Sequence, residues 1–242
     1  MNILKKLAAK KGQIALLIDP EKTKTTIQLQ SLIEKATFAG VSYFFVGGST
    51  VQRNDIESVV VFLKRHSSIP VIIFPGASHQ ISKEADALLF LNLLSGRNPD
   101  FLIGHHVQCA EEVNDMQIDV LPTAYLLIDG GKPSSVAYIS QTTPIPRDQE
   151  SIVLKTAIAG KLMGQQLIYL DAGSGAMLHV PPKMVSLIQS KIDLPIIVGG
   201  GIRDIATMES LKDAGVNVIV IGNKIEEDID FLLDVSTYIK NS

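Results

Sequence analysis

Eight short runs of consecutive apolar residues punctuate the chain, at positions 14–18, 43–46, 71–74, 87–91, 124–128, 167–170, 196–198 and 218–221. Apolar character on successive residues, rather than alternate ones, suits parallel strands that are buried on both faces. Longer stretches of helical periodicity lie between the runs. Eight such alternations predict a closed (β/α)8 TIM barrel rather than an open doubly wound sheet. One interval breaks the rhythm. Only about a dozen residues, too few for a complete crossover with its helix, separate the third run from the fourth, and they include Pro75, Gly76 and Ser78. The third helix is therefore expected to be missing or reduced to a turn. Residues 130–146, rich in Gly, Pro, Ser and Thr, predict a long loop over the barrel mouth. At the other end, Leu4, Leu7 and Ala8 fall at i, i+3, i+4 and predict a short amphipathic helix closing the barrel floor.

Composition sharpens this picture. The 242 residues match the roughly 250 of a typical barrel. With 46% hydrophobic and 19% charged residues, and no linker or repeat, residues 1–242 read as one domain with one large core. A net charge of −3 lacks the basic face that nucleic acid requires. A local phosphate site remains compatible with it, because backbone N–H groups can supply the field. The one cysteine, Cys109, rules out an intrachain disulfide framework. No apolar run is long enough for a signal peptide or membrane span. A cytoplasmic protein with at most peripheral membrane contact is expected.

In a parallel barrel the loops leaving the C-terminal strand ends build the site. Asp19 follows the first run, before Pro20. It suits either Mg2+ ligation or general-base work, or else an N-cap for the next helix. The second run ends in Gly47-Gly48-Ser49-Thr50, where Ser49 or Thr50 could ligate a metal or bond a phosphate oxygen. The sixth gives Tyr169-Leu170-Asp171-Ala172-Gly173-Ser174-Gly175-Ala176, whose glycines could turn N–H groups inward as an anion nest. Its spacing fits neither a nucleophile elbow nor a P-loop. Gly199-Gly200-Gly201 and Gly222-Asn223 follow the last two runs. Glycine turns at both of these strand ends are the signature of a barrel phosphate site. His105 and His106 are adjacent and diverge on a helix, so no histidine metal site is expected.

Taken together, Leu17-Ile18-Asp19-Pro20-Glu21-Lys22, Val46-Gly47-Gly48-Ser49, Phe74-Pro75-Gly76, residues 85–99 (ADALLFLNLLSGRNP), the sixth-strand motif, residues 198–203 and Ile221-Gly222-Asn223 resemble the geranylgeranylglyceryl phosphate synthases over nearly the whole chain. That family has a modified barrel lacking the third helix. The resemblance implies Mg2+-dependent transfer of a polyprenyl (geranylgeranyl) group from its diphosphate to the 3-hydroxyl of sn-glycerol 1-phosphate. Carried over by position, Asp19 and Ser49 would hold Mg2+. Tyr169, Leu170, Asp171, Ala172, Gly173, Ser174, Gly175, Gly200, Gly201, Gly222 and Asn223 would hold glycerol phosphate, with Asp171 as the catalytic base. Phe74, Phe90, Leu91, Leu93 and Tyr125 are candidates for an apolar trough. Two positions depart from the pattern. The family usually carries Glu where Asp171 stands, and some bacterial members carry Lys where Leu17 stands. The second departure points to the branch whose members assemble beyond a monomer, so a homo-oligomer is expected. Competing readings are a phosphate-substrate barrel isomerase or lyase and a non-catalytic phosphate-binding module.

Overall fold

A computed structural model describes residues 2–23 and 25–241. In chain order the elements are α1 (Ile3–Ala9), β1 (Gln13–Ile18), α2 (Thr26–Ala39), β2 (Tyr43–Val46), α3 (Arg53–His66), β3 (Val71–Ile73) and β4 (Ala87–Leu93). A π-helical turn (Asp100–Gly104) then runs into α4 (His105–Asp115), followed by β5 (Asp119–Leu127), α5 (Ser135–Ser140) and α6 (Glu150–Leu162). The last third holds β6 (Leu167–Asp171), α7 (Pro182–Gln189), β7 (Ile196–Gly199), α8 (Ile205–Asp213), β8 (Val218–Ile221), α9 (Asn223–Glu227) and α10 (Phe231–Lys240).

All eight strands pair in parallel, and β8 returns to β1 through Gln13↔Val218 and Leu16↔Ile221, so the sheet closes. Period-two geometry divides each apolar run between two layers. Ala15, Tyr43, Phe45, Leu89, Tyr169 and Val220 fill the barrel interior. Ile14, Leu16, Phe44, Leu88, Leu170 and Ile219 face the surrounding helices. Both layers are dry, which is why the runs carry no polar alternation.

The floor is closed by α1, as its spacing suggests, with Leu7 buried, Leu4 packed partly buried against the interior layer, and Ile3 in place of Ala8. Ile3 and Leu7 are fully buried against the interior layer, whereas Ala8 is exposed. The Ile3 N–H donates to Asp119 Oδ2 at 2.6 Å, tying the helix to the start of β5. β5 itself begins well before the apolar run, because Asp119 and Pro122 interrupt the hydrophobic signal while the backbone stays in register, Phe90 opposite Pro122.

No helix joins β3 to β4 among the described residues. A buried glutamine bridges the gap instead. Gln80 donates through Nε2 to the carbonyls of Gly48 and Val51, each at 2.9 Å, and its Oε1 accepts the Gly76 N–H at 2.8 Å. One side chain thus staples the loops after β2 and β3. The segment 130–146 does lie at the mouth, but it contains α5, started by Ser134 accepting the Ala137 N–H. No helix among the described residues is long and apolar enough to cross a membrane.

Candidate active site

The C-terminal strand ends surround a cavity of about 800 Å3. Asp19, Ser49, Asp171, Gly200 and Asn223 all line it, so sequence positions more than two hundred residues apart converge on one mouth.

On the β1 side, Asp19 Oδ1 accepts the Glu21 N–H at 3.0 Å and Oδ2 lies 3.9 Å from Lys22 Nζ. Burial raises its pKa, opposed by the Glu21 N–H and the Lys22 charge. It does not cap α2; Thr25 does, in a capping box with Gln28. The end of β2 packs tightly around it. A Cβ on Gly47 would sit 1.8 Å from the Phe74 carbonyl oxygen, so that glycine serves the neighbouring strand rather than a ligand. A Cβ on Gly48 would lie 3.1 Å from Asp19 Oδ1, which places the carboxylate directly beside the turn carrying Ser49. Thr50 Oγ1 donates to Glu21 at 2.9 Å, and Lys22 reaches Glu226 at 2.9 Å, cross-linking the loops after β1, β2 and β8.

Opposite stands Asp171, 7% exposed at the end of β6. Its Oδ1 accepts the Gly173 N–H at 2.7 Å and its Oδ2 accepts the Tyr125 hydroxyl. Burial raises the carboxyl pKa, and the two donors pull it back down. The register Tyr125↔Tyr169 stacks the two phenols side by side, with ring centroids 5.5 Å apart, and Phe74 meets both edge-on. This aromatic floor is what buries the carboxylate. It also keeps both phenols protonated, since burial and the Asp171 charge push their pKa values far up. The Asp171 carboxylate is thus held at the cavity wall by the Tyr125 hydroxyl.

The glycine loops are differently wired from a plain anion nest. Asn223 Oδ1 accepts the Gly175 N–H at 2.7 Å and the Ser174 hydroxyl at 3.1 Å, and Gly173 is spent on Asp171. The N–H groups of Ser174, Gly200 and Gly201 make no backbone or side-chain bond among the described residues. Those are the donors an anion can use. Gly200 and Gly201 hold φ of +84° and +70°, and a Cβ on Gly201 would come within 2.8 Å of the Leu178 backbone. Lys132 Nζ stands over this loop, 3.2 Å from where a Gly175 Cβ would be. Of the other expected ligand residues, Leu170 and Ala172 are buried toward the helix layer, and with Gly173 they lie outside the cavity lining.

An apolar extension leads away from the mouth through the sector that lacks a helix, past Ile81, Leu88 and Phe90 to His105, His106 and Cys109 on α4. The trough candidates Phe74, Phe90, Leu91, Leu93 and Tyr125 all line the cavity, with Phe74, Leu91, Leu93 and Tyr125 on the interior layer and Phe90 on the outer one. Burial lowers the His106 pKa, opposed by a hydrogen bond from its ring to the Leu91 backbone. Sequence reasoning missed Gln80, Lys132 and the bond from Tyr125 to Asp171. A polar residue inside the too-short third interval could have flagged the first, whereas the other two depend on register and loop packing.

Comparison with known proteins agrees with this architecture. The chain is 44% identical over 222 residues to geranylgeranylglyceryl phosphate synthase of Chitinophaga pinensis, covering 92% of this chain and 88% of that one. It is 38% identical over 227 residues to the enzyme of that name from Korarchaeum cryptofilum, covering 94% and 93% respectively. The crystal structure of (S)-3-O-geranylgeranylglyceryl phosphate synthase from Thermoplasma acidophilum, solved with its substrate sn-glycerol-1-phosphate, superimposes with a TM-score of 0.92 at 33% identity over the full length of both chains. With residues 7–239 matching the PcrB family, the chain belongs to that family.

Proposed function

We propose that this protein is a prenyltransferase that joins a polyprenyl diphosphate to the 3-hydroxyl of sn-glycerol 1-phosphate, releasing diphosphate. The observation that carries the reading is the opposition of two sites across one mouth. Free N–H donors of Ser174, Gly200 and Gly201 sit beside Asp171, and Asp19 with Ser49 sits across from them at the entrance to an apolar trough. Full-length likeness to a synthase solved with sn-glycerol-1-phosphate supports the glycerol phosphate half of this reading.

The residues suit Mg2+. A lone carboxylate beside a hydroxyl offers hard oxygen donors, and Mg2+ ordinarily completes such a set with substrate phosphates and water. Among the described residues no group of three His, Cys, Asp or Glu side chains is placed to hold a metal alone, which leaves room for that completion. Asp19 and Ser49 would hold the ion, whose role when bound is to stabilise charge on the departing diphosphate.

The chain's own groups do the rest. Ser174, Gly200 and Gly201 bind the glycerol phosphate oxygens and orient the 3-hydroxyl toward Asp171. As the glycerol oxygen bonds to C1 of the prenyl group, the C1–O bond to diphosphate breaks and the hydroxyl proton passes to Asp171. The trough shields the allylic carbon from water, which would otherwise compete as nucleophile. We also infer a cytoplasmic homo-oligomer with at most peripheral membrane contact, in keeping with the Leu17 variant and the exposed Tyr138 and Ile139 at the trough entrance. The test is turnover of geranylgeranyl diphosphate with sn-glycerol 1-phosphate. It should require Mg2+ and fall about 100-fold or more in Asp19→Ala. Undiminished turnover in chelator, or in the variant, refutes the metal assignment; no product from the wild type refutes the reaction.

A further inference from the structure

One carboxylate joins the two halves of the mouth. Glu226 stands on α9 three residues after Asn223, so helical spacing brings both side chains to one face. Its Oε2 accepts from the Lys22 ammonium at 2.9 Å and from the Asn223 amide Nδ2 at 3.3 Å. Lys22 Nζ in turn lies 3.9 Å from Asp19 Oδ2. At the other end, Asn223 Oδ1 accepts the Gly175 N–H at 2.7 Å and the Ser174 hydroxyl at 3.1 Å. A continuous path of polar contacts thus runs from Asp19 to the glycine loop after β6.

Fold stability does not account for this path. The Lys22 and Glu226 side chains are 43% and 27% exposed, and an ion pair so open to solvent contributes little, because holding two long side chains in one geometry costs entropy. The neighbouring cation of α9, Lys224, is engaged with Asp228 at 2.9 Å and leaves Glu226 to Lys22. Lys22, Glu226, Asn223, Ser174 and Gly175 all line the cavity. An ammonium has three N–H donors, so Lys22 can keep Glu226 and still donate to an anion beside Asp19. The carboxylate also fixes the Asn223 amide. With Nδ2 drawn to Glu226, Oδ1 faces Gly175 and Ser174 and holds their loop in the shape that leaves the Ser174 N–H unpaired.

We infer that Glu226 is a positioning residue that couples the two substrate sites, so that the allylic diphosphate and glycerol phosphate each tighten the other's binding. The inference rests on the proposed prenyl transfer. A diphosphate on the Asp19 side takes a hydrogen bond from Lys22 and so orders Glu226. Glycerol phosphate on the N–H groups of Ser174, Gly200 and Gly201 orders the loop, and through Asn223 the same carboxylate. The first ligand bears the entropy cost of ordering the path, and the second finds it ordered. Linkage makes the effect equal in both directions. Both sites filled is also the state in which an ionised allylic group meets glycerol rather than water. Glu226 acts through its neighbours, since Asp171 is held separately by Tyr125 and Gly173.

The experiment measures the Kd of sn-glycerol 1-phosphate by calorimetry in Mg2+, with and without saturating geranylgeranyl thiolodiphosphate, an unreactive analogue of the prenyl donor. The proteins are the wild type, Glu226→Ala, Glu226→Gln and Asp228→Asn. In the wild type the analogue should tighten the Kd at least about fivefold. In Glu226→Ala the ratio should fall to within about twofold of one. Glu226→Gln, which keeps an oxygen for Asn223 but no charge for Lys22, should lose part of it. Asp228→Asn breaks the neighbouring pair on α9 and should keep the wild-type ratio. In turnover, the Glu226→Ala loss should appear in both KM values rather than in kcat. A wild-type ratio near one, an unchanged ratio in both Glu226 variants, or an equal loss in Asp228→Asn overturns the inference. A wild type that does not bind one or both ligands overturns the functional reading instead.

Discussion

The bond between Tyr125 and Asp171 can be removed without disturbing its surroundings, because Phe at position 125 keeps the ring that packs on Phe74 and Tyr169. The hydroxyl donates to the carboxylate and so favours its charged form, against a burial that disfavours it. In Tyr125→Phe the opposing pull is lost and the Asp171 pKa rises further. A base must be ionised to accept the glycerol proton, so the acid limb of the rate profile moves to higher pH. A hydrogen bond to a charged group is worth about 1.5–3 kcal/mol, and both partners are buried, which limits screening by solvent. At a pH on the acid limb, kcat/KM for glycerol phosphate should therefore fall about 10- to 150-fold. Above the shifted limb it should return to nearly the wild-type value. The assay is a pH profile of kcat/KM at saturating prenyl diphosphate, with thermal melts of both proteins as a control for folding. Superimposable profiles, or an equal loss at every pH, would refute the assignment of Asp171 as a base tuned by Tyr125.

Two further outcomes separate chemistry from architecture. Asp171→Asn keeps an oxygen to accept the Gly173 N–H and turns an amide N–H2 toward the Tyr125 hydroxyl, which must then accept, while removing a buried charge whose pKa is raised in the folded state. Such a group is penalised at pH values above its folded pKa, so the variant should melt at or above the wild-type temperature near neutrality, yet turn over about 100- to 10,000-fold more slowly; a lower melting temperature would contradict the buried-charge account. Gln80→Ala strips partners from the Gly48 and Val51 carbonyls and the Gly76 N–H, at about 1–3 kcal/mol for each group left unsatisfied. Denaturant unfolding should show that loss, and a stability within error of wild type would mean that the staple is dispensable.

The barrel was legible because its strands are buried on both faces, so each reads as an unbroken apolar run. β5 was the exception at its start, where Asp119 works for α1 and Pro122 sits in the ladder, both silent in a hydrophobicity pattern. Glycine turns after β7 and β8 pointed to a candidate anion site, but not to which N–H groups remain unpaired among the described residues. That depends on Asn223 reaching back across the mouth to Gly175, a contact between residues 48 positions apart. The partner of Asp171 was hidden for the same reason. Tyr125 looked like trough lining, and only the β5–β6 register brings its hydroxyl to the carboxylate.

The sector without a third helix has a consequence for how such a protein can change. In a complete barrel the outer helix layer seals the strands, and a long ligand must fit within the mouth. Here Gln80 links the loops after β2 and β3, and the vacated flank runs along the outside of β4 away from Asp19 and Asp171. Tail accommodation and bond making thus occupy separate parts of the wall. Substitutions along that flank can alter which lipid is made while the reaction itself stays untouched, so the two properties are free to drift independently.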